Sequence, residues 1–169
     1  MGQLELGLYD VFTHAAMATA PTAADVYDEH IRCAQEAEQL GYKYYFSIEH
    51  QTSPISYLSA PNVYLTALAR HTSVIRFGVM IYQLPFHHPI RLAQDAAMLD
   101  HLSRGRLEFG AGTGVSPHEF MRWNVPFEPR REMIDLLPAL KDGDSKQPFR
   151  LPDLRPESKD CARPPNDSS

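Results

Sequence analysis

Apolar and polar positions follow two different spacings along the chain, and the two spacings alternate. Consecutive or alternating apolar residues, the pattern of β-strands, occur over 4–9, 42–48, 75–84 and 106–110. The second of these runs is rich in aromatic residues and predicts a strand that is buried on both faces. Between the runs, apolar residues recur at helical spacing and predict helices over 22–41, 60–73 and 89–105.

The helix ends carry signals that agree with these boundaries. Asp25 stands three residues after Thr22, which is the pattern of a capping box, and Gly105 stands where the last helix should end. Strand starts recur every thirty to forty residues or so, the length of a βα unit. The sequence therefore predicts an α/β domain with a parallel sheet.

Periodicity leaves two architectures open, an open doubly wound sheet and part of a (β/α)8 barrel of the TIM type. Both place functional groups at the C-terminal ends of the strands. We therefore expect functional residues among the groups that follow each predicted strand, namely Phe12 and His14, Glu49 and His50, residues 83–88, and residues 110–116.

The composition changes after residue 137. Residues 138–169 contain six prolines, many charges and few large apolar side chains. Such a segment buries too little apolar surface to offset the entropy lost on ordering. The sequence predicts a folded domain over 1–137 and a disordered, proline-rich tail over 138–169.

Charge and composition exclude several kinds of partner. Lys and Arg number 16 against 21 Asp and Glu, and no basic cluster indicates binding to nucleic acid or to an anionic membrane. No segment approaches the roughly 18 apolar residues of a membrane span, and the N-terminus does not resemble a signal peptide, so we expect a cytoplasmic protein. Adjacent His87 and His88 should point to opposite sides of an extended segment, so we expect no metal site.

Two features carry candidate chemistry. Gly110, Gly112 and Gly114 follow the fourth strand at a spacing that matches neither a dinucleotide fingerprint nor a Walker loop. They favour close approach by a flat ring or a phosphate, and a plain structural turn explains them equally well. Glu49–His50 ends a buried strand, where an imidazole suits proton transfer; a surface histidine at a strand end is the alternative.

Three segments together resemble the bacterial luciferase-like superfamily of flavin-dependent monooxygenases. They are FSIEHQ, the run from RFGVMIYQLPFHHP through the glycines, and FMRWNVPFEPRRE, and the similarity spans roughly residues 4–136. The resemblance implies a (β/α)8 barrel that binds reduced FMN, or in some branches a deazaflavin, at its C-terminal mouth. It also implies the use of O2 to oxidise a small organic substrate, a flavin reductase as supplier of reduced FMN, and a homodimer formed through the helices predicted over 60–73 and 89–105.

The resemblance also implies roles for single residues. His50 takes the place of the histidine treated as catalytic, and Glu49 matches the acidic residue before it at the flavin site. Val79, Met80 and Ile81 match the strand-three stretch that lies against the flavin ring.

Some members of the superfamily have a non-prolyl cis peptide in that stretch, at the bond that corresponds to Met80–Ile81. Gly112 and Thr113 occupy cofactor-binding positions where luciferase has a reactive cysteine and a phosphate-contacting arginine.

Only four of the eight strands of such a barrel are predicted, so we expect a truncated chain. A half barrel leaves its first and last strands as open edges and exposes an apolar face. Two alternatives to a monooxygenase therefore stay open. One is a non-catalytic fragment or dimerisation module, and the other is a deazaflavin-dependent dehydrogenase of the same superfamily.

Overall fold

The computed structural model describes residues 4–128, so the boundary predicted at 137 and the tail predicted over 138–169 lie outside the described residues. The strands are β1 (Gly7–Asp10), β2 (Tyr44–Ser47), β3 (Arg76–Gln83) and β4 (Leu107–Gly112). The helices are α1 (His14–Thr19), α2 (Ala23–Gln39), α3 (Pro61–His71), α4 (Pro89–Ser103) and α5 (Pro117–Trp123), and a short 3-10 helix (Leu84–Phe86) follows β3.

The four strands form one parallel sheet in the order β1-β2-β3-β4. Each strand therefore lies beside the next one along the chain. A doubly wound sheet reverses its strand order at a switch point, and this sheet contains no reversal, so the doubly wound alternative is excluded. Four βα units that wind in one direction are the arrangement of a (β/α)8 barrel.

Local signals at the helix ends are realised in the structure. The Thr22 side chain accepts a hydrogen bond from the Asp25 backbone N–H, and the Asp25 carboxylate accepts one from the Thr22 backbone N–H in return. At the end of α4, Arg104 and Gly105 have φ angles of 62° and 80°. Helices α1 and α5 were not predicted, because six and seven residues are too few to show a helical repeat of apolar positions.

The hydrophobic core lies between one face of the sheet and the helices. Tyr45, Phe77 and Tyr82 from the strands are fully buried there with Leu65 and Leu68 of α3. The prediction that the second strand is buried on both faces was wrong. Burial alternates along β2, because the helices cover only one face of the sheet.

The opposite face of the sheet exposes apolar groups. The register places Tyr9 beside Phe46 and Phe46 beside Gly78, and residues paired in this way share a face. Tyr9 is 51% exposed, and Met80, two positions after Gly78, is 49% exposed. This is the exposed apolar face that half of a barrel is expected to have.

Candidate active site

The C-terminal ends of β2 and β3 bring five polar side chains together in the interior. Glu49 and His50 follow β2 and are 1% and 8% exposed, which excludes the alternative of a surface histidine. Gln83 ends β3, His87 follows it, and Glu119 reaches the same region from α5. The strand-end rule predicted the grouping of Glu49, His50, Gln83 and His87, and the structure adds Glu119 and shows which of these groups touch.

His50 and Glu119 form a buried pair. The His50 Nδ1 atom lies 2.7 Å from Glu119 Oε1, and the same oxygen accepts a hydrogen bond from the Gln51 backbone N–H at 3.1 Å. Glu119 is 0% exposed. Because an ionised carboxylate only accepts hydrogen bonds, the contact places the imidazole proton on Nδ1. Nε2 of His50 then remains available, since it makes no hydrogen bond within the described residues.

The second oxygen of Glu119 is buried and has no hydrogen-bond partner among the described residues. Within residues 4–128 it is the one buried side-chain N or O atom of this kind. An unsatisfied buried polar atom in a native structure is costly and is common where function constrains a side chain. Glu119 is therefore the least compensated polar group of the described interior, and it contacts His50 directly.

Glu49 ties the ends of β2 and β3 together. Its carboxylate accepts hydrogen bonds from the Gln83 backbone N–H at 2.9 Å and from the Gln51 side chain at 2.6 Å. It also lies 2.8 Å from Nε2 of His87. Burial, together with the charge of Glu49, raises the pKa of Tyr82. Both Glu49 oxygens are thus occupied by neighbouring residues, and the carboxylate holds the strand ends in register.

Residues 79–81 of β3, which the resemblance places against the flavin ring, differ in solvent exposure. The Met80–Ile81 peptide bond is cis, at the position that the resemblance implied. Val79 is 0% exposed and belongs to the core, whereas Met80 is 49% exposed. Val79 pairs with Ser47, and Gln83 donates to the Glu49 carbonyl at 3.0 Å. Met80 and Ile81 therefore lie between two contacts of β3, one with the last residue of β2 and one with the segment that follows it.

The glycines after residue 109 are explained by close packing of β4 against β3. The strand was predicted to end at Gly110, but it continues to Gly112, which pairs with Gln83. A Cβ atom at Gly110 would lie 2.6 Å from the Val79 carbonyl oxygen, and one at Gly112 would lie 2.4 Å from Cδ1 of Ile81.

Gly114, with a φ of 71°, makes the turn that follows β4. The Thr113 hydroxyl contacts the Gly114 carbonyl oxygen at 3.4 Å. The structural turn, one of the two explanations that the sequence offered, is therefore present at Gly114. Close contact between β3 and β4 explains Gly110 and Gly112.

A cleft of about 430 Å³ opens beside His50. It is lined by the loop that follows β2 (Thr52, Ser53, Pro54, Ser56, Tyr57 and Ser59), by His14 and His50, and by Arg122 of α5. His14 was among the predicted strand-end residues, whereas Phe12 is fully buried in the core and stacks on His30.

Sequence reasoning missed both α5 residues of this region, Glu119 and Arg122. A usable signal was present, because Pro117 just after the glycine turn marks the first turn of a helix. That helix carries Glu119 in its first turn and Arg122 in its last.

No helix within residues 4–128 is long and apolar enough to cross a membrane. No group of three or more His, Cys, Asp or Glu side chains there is arranged to hold a metal ion.

Residues 4–145 match the family model of the luciferase-like monooxygenases, and the chain belongs to this family. It is 28% identical over 148 residues to limonene 1,2-monooxygenase of Rhodococcus erythropolis, covering 85% of this chain and 38% of the relative. It is 33% identical over 146 residues to the oxygenase component of the flavin-dependent trigonelline monooxygenase of Acinetobacter baylyi, covering 80% of this chain and 40% of the relative.

Among solved structures, the fold is similar to the oxygenating constituent of 3,6-diketocamphane monooxygenase from Pseudomonas putida in complex with FMN. The TM-score is 0.69 at 24% identity, over 80% of this chain and 39% of that chain. The described residues thus have the fold of part of a (β/α)8 barrel, the fold of the luciferase-like enzymes. The chain spans about two-fifths of the length of these relatives.

Proposed function

We propose that the protein is a flavin-dependent monooxygenase that uses reduced FMN and O2 to oxidise a small organic substrate, with His50 as its catalytic residue. The buried His50–Glu119 pair carries this proposal, because it presents one imidazole nitrogen beside a cleft at the C-terminal ends of the strands. The family membership supports the same class of reaction.

The exposed face of the sheet fits a flat, apolar ring. Met80 is half exposed within β3, and the apolar face that includes Tyr9 and Phe46 continues from it. Met80 and Ile81 would hold the ring, backed by the fully buried Val79, with Gly112 and Thr113 at its side. Bound reduced FMN would supply the electrons that activate O2.

His50 has the geometry of a general base or a hydrogen-bond partner. Glu119 holds the Nδ1 proton, so Nε2 is free to accept a proton from a molecule in the cleft. The imidazolium formed in this way would be stabilised by the Glu119 carboxylate at 2.7 Å. Burial of both groups excludes water and strengthens this interaction. Glu49 would hold His87 and Gln83 in place around the cofactor rather than donate to it.

We propose two protein partners, a flavin reductase and a second copy of the chain. A flavin reductase would supply reduced FMN, in keeping with a relative that is named as an oxygenase component. A homodimer would form through α3 and α4, which pack against each other and expose Val63 at 74%, Met98 at 64% and Leu102 at 43%. Apolar groups that stay exposed on adjacent helices are typical of such interfaces.

The experiment combines FMN binding with turnover. Binding is followed by quenching of FMN fluorescence, and turnover by product analysis of a panel of small organic compounds with chemically reduced FMN and air. We expect His50→Ala to bind FMN and to lose at least a hundredfold in turnover. Exposed His71, replaced by alanine, serves as the matched control.

Unchanged turnover in His50→Ala would remove the proposed catalytic role. A wild-type chain that binds no flavin and gives no product would instead favour the non-catalytic fragment. Reduction of a deazaflavin without use of O2 would favour the dehydrogenase.

A further inference from the structure

The cleft beside His50 is lined by one arginine, Arg122. Within the described residues its guanidinium makes no ion pair and no hydrogen bond. The described lining of the cleft contains no carboxylate. An arginine keeps its charge at every physiological pH, so the exposed Arg122 side chain brings a positive charge to the cleft that His50 also lines.

Hydroxyl groups add further donors to the same cleft. The hydroxyls of Thr52 and Ser59 have no hydrogen-bond partner within residues 4–128. The Ser53 hydroxyl oxygen accepts from the Ile55 backbone N–H at 3.2 Å, which leaves its own proton free to donate. A guanidinium and several O–H donors around one cleft match the acceptor oxygens of an oxyanion.

The loop that carries these hydroxyls is held in position. The Tyr57 backbone N–H donates to the Phe12 carbonyl at 2.9 Å, and the His50 backbone N–H donates to the Leu58 carbonyl at 3.2 Å. The Tyr57 hydroxyl lies 2.6 Å from Nδ1 of His14. The backbone of the loop is therefore arranged before any ligand arrives, which lowers the entropic cost of binding.

From these observations we infer that the cleft is an oxyanion subsite, which takes a carboxylate, sulfonate or phosphate group of a small molecule bound beside His50. The inference rests on the proposed function only in assigning that molecule to the reaction. The oxyanion belongs either to the organic substrate or to the phosphate of the flavin, and both share the chemistry that Arg122 recognises.

The first arm of the test uses no flavin. Benzoate, with benzamide as its neutral counterpart, is titrated into the full chain while the imidazole NMR signals of His14 and His50 are followed. We expect saturable shifts with benzoate, and at least a tenfold weaker affinity in Arg122→Ala, with partial rescue in Arg122→Lys. Arg32→Ala is the control, because Arg32 is an exposed arginine on α2 whose ion pairs are also exposed. Benzamide should not distinguish Arg122→Ala from wild type.

The second arm identifies the source of the oxyanion. FMN and riboflavin differ only in the phosphate, so a loss of FMN affinity without a loss of riboflavin affinity in Arg122→Ala assigns the subsite to the flavin phosphate. A loss of benzoate affinity alone assigns it to an acidic substrate.

Equal affinity of wild type and Arg122→Ala for both benzoate and FMN would overturn the inference. The benzoate titration involves no turnover, so a negative result overturns the oxyanion subsite and leaves the proposed role of His50 intact. A chain that binds benzoate through Arg122 but shows no turnover would support the subsite and contradict the proposed function.

Discussion

Replacement of Glu119 by alanine tests the buried pair at the centre of the site. The change removes the acceptor of two buried donors, Nδ1–H of His50 and the backbone N–H of Gln51. Each buried donor left unsatisfied costs about 1–3 kcal/mol. Removal of Oε2, which has no hydrogen-bond partner within residues 4–128, returns part of this. We therefore expect Glu119→Ala to lower the free energy of unfolding by about 3 kcal/mol.

Glu119→Gln keeps the shape of the side chain at this position and removes its negative charge. The amide keeps nearly the same volume, and its carbonyl oxygen can still accept from His50 and from Gln51. It loses the negative charge that would stabilise a His50 imidazolium. We expect a stability loss of about 1 kcal/mol, the ordinary value for one weakened hydrogen bond, together with the larger loss of turnover that follows from an unsupported imidazolium.

Urea unfolding followed by far-ultraviolet circular dichroism measures these differences. With a denaturant slope of about 2 kcal/mol per molar for a domain of this size, a loss of 3 kcal/mol lowers the midpoint by about 1.5 M. Glu36→Ala is the control. The Glu36 side chain is 65% exposed and makes only a 3.9 Å contact with Arg32, so its removal should stay within about 0.5 kcal/mol. If Glu119→Ala unfolds at the same midpoint as Glu36→Ala, the buried pair has no energetic weight and the argument from it fails.

Two further predictions concern the fold around the site. Burial raises the pKa of Glu38, but hydrogen bonds from the backbone N–H groups of residues 73–75 and the nearby Arg106 outweigh burial and hold the pKa below its usual value. The resulting stabilisation is present above about pH 4.5 and is lost as the pH falls through the pKa of Glu38 in the folded state. The urea midpoints of wild type and Glu38→Gln should therefore differ more at pH 7 than at pH 3. An equal difference at both pH values would contradict this account of the Glu38 pKa. Gly78→Ala should cost more than about 3 kcal/mol, because the new Cβ would lie 2.0 Å from the Glu108 carbonyl oxygen in the neighbouring backbone. Gly112→Ala should cost only about 1 kcal/mol, since its Cβ meets the movable end of the Ile81 side chain, and thermal unfolding in which the two variants match would refute the packing account of these glycines.

Much of the local structure could be predicted because its causes lie a few residues apart. The capping box of Thr22 and Asp25 spans three residues, and Gly105 ends α4 through hydrogen bonds within its own last turn. The strand ends that carry Glu49 and His50 follow from the alternation of strands and helices. Short elements such as α1 escaped prediction because they hold too few apolar positions for a repeat to appear.

The role of the alternate glycines could not be predicted from their spacing. Their neighbours are Val79 and Ile81 of β3, about thirty residues earlier, and the register that brings the strands together depends on the whole sheet. The choice between a doubly wound sheet and a barrel also depended on the order of the strands in the sheet, which only the structure shows. Both architectures have the same local pattern, and they differ only in which strands pair.

The sequence by itself determined the class of fold, the approximate bounds of the three longest helices, the resemblance to a flavin-dependent family and the place of His50 at the end of a strand. Only the tertiary structure decided what His50 touches. Its partner, Glu119, lies 69 residues away on a helix of seven residues, and Arg122 reaches the same cleft from the end of that helix. Ion pairs and clefts of this kind depend on distances between groups that are remote along the chain, and these distances are set only when the strands and helices pack.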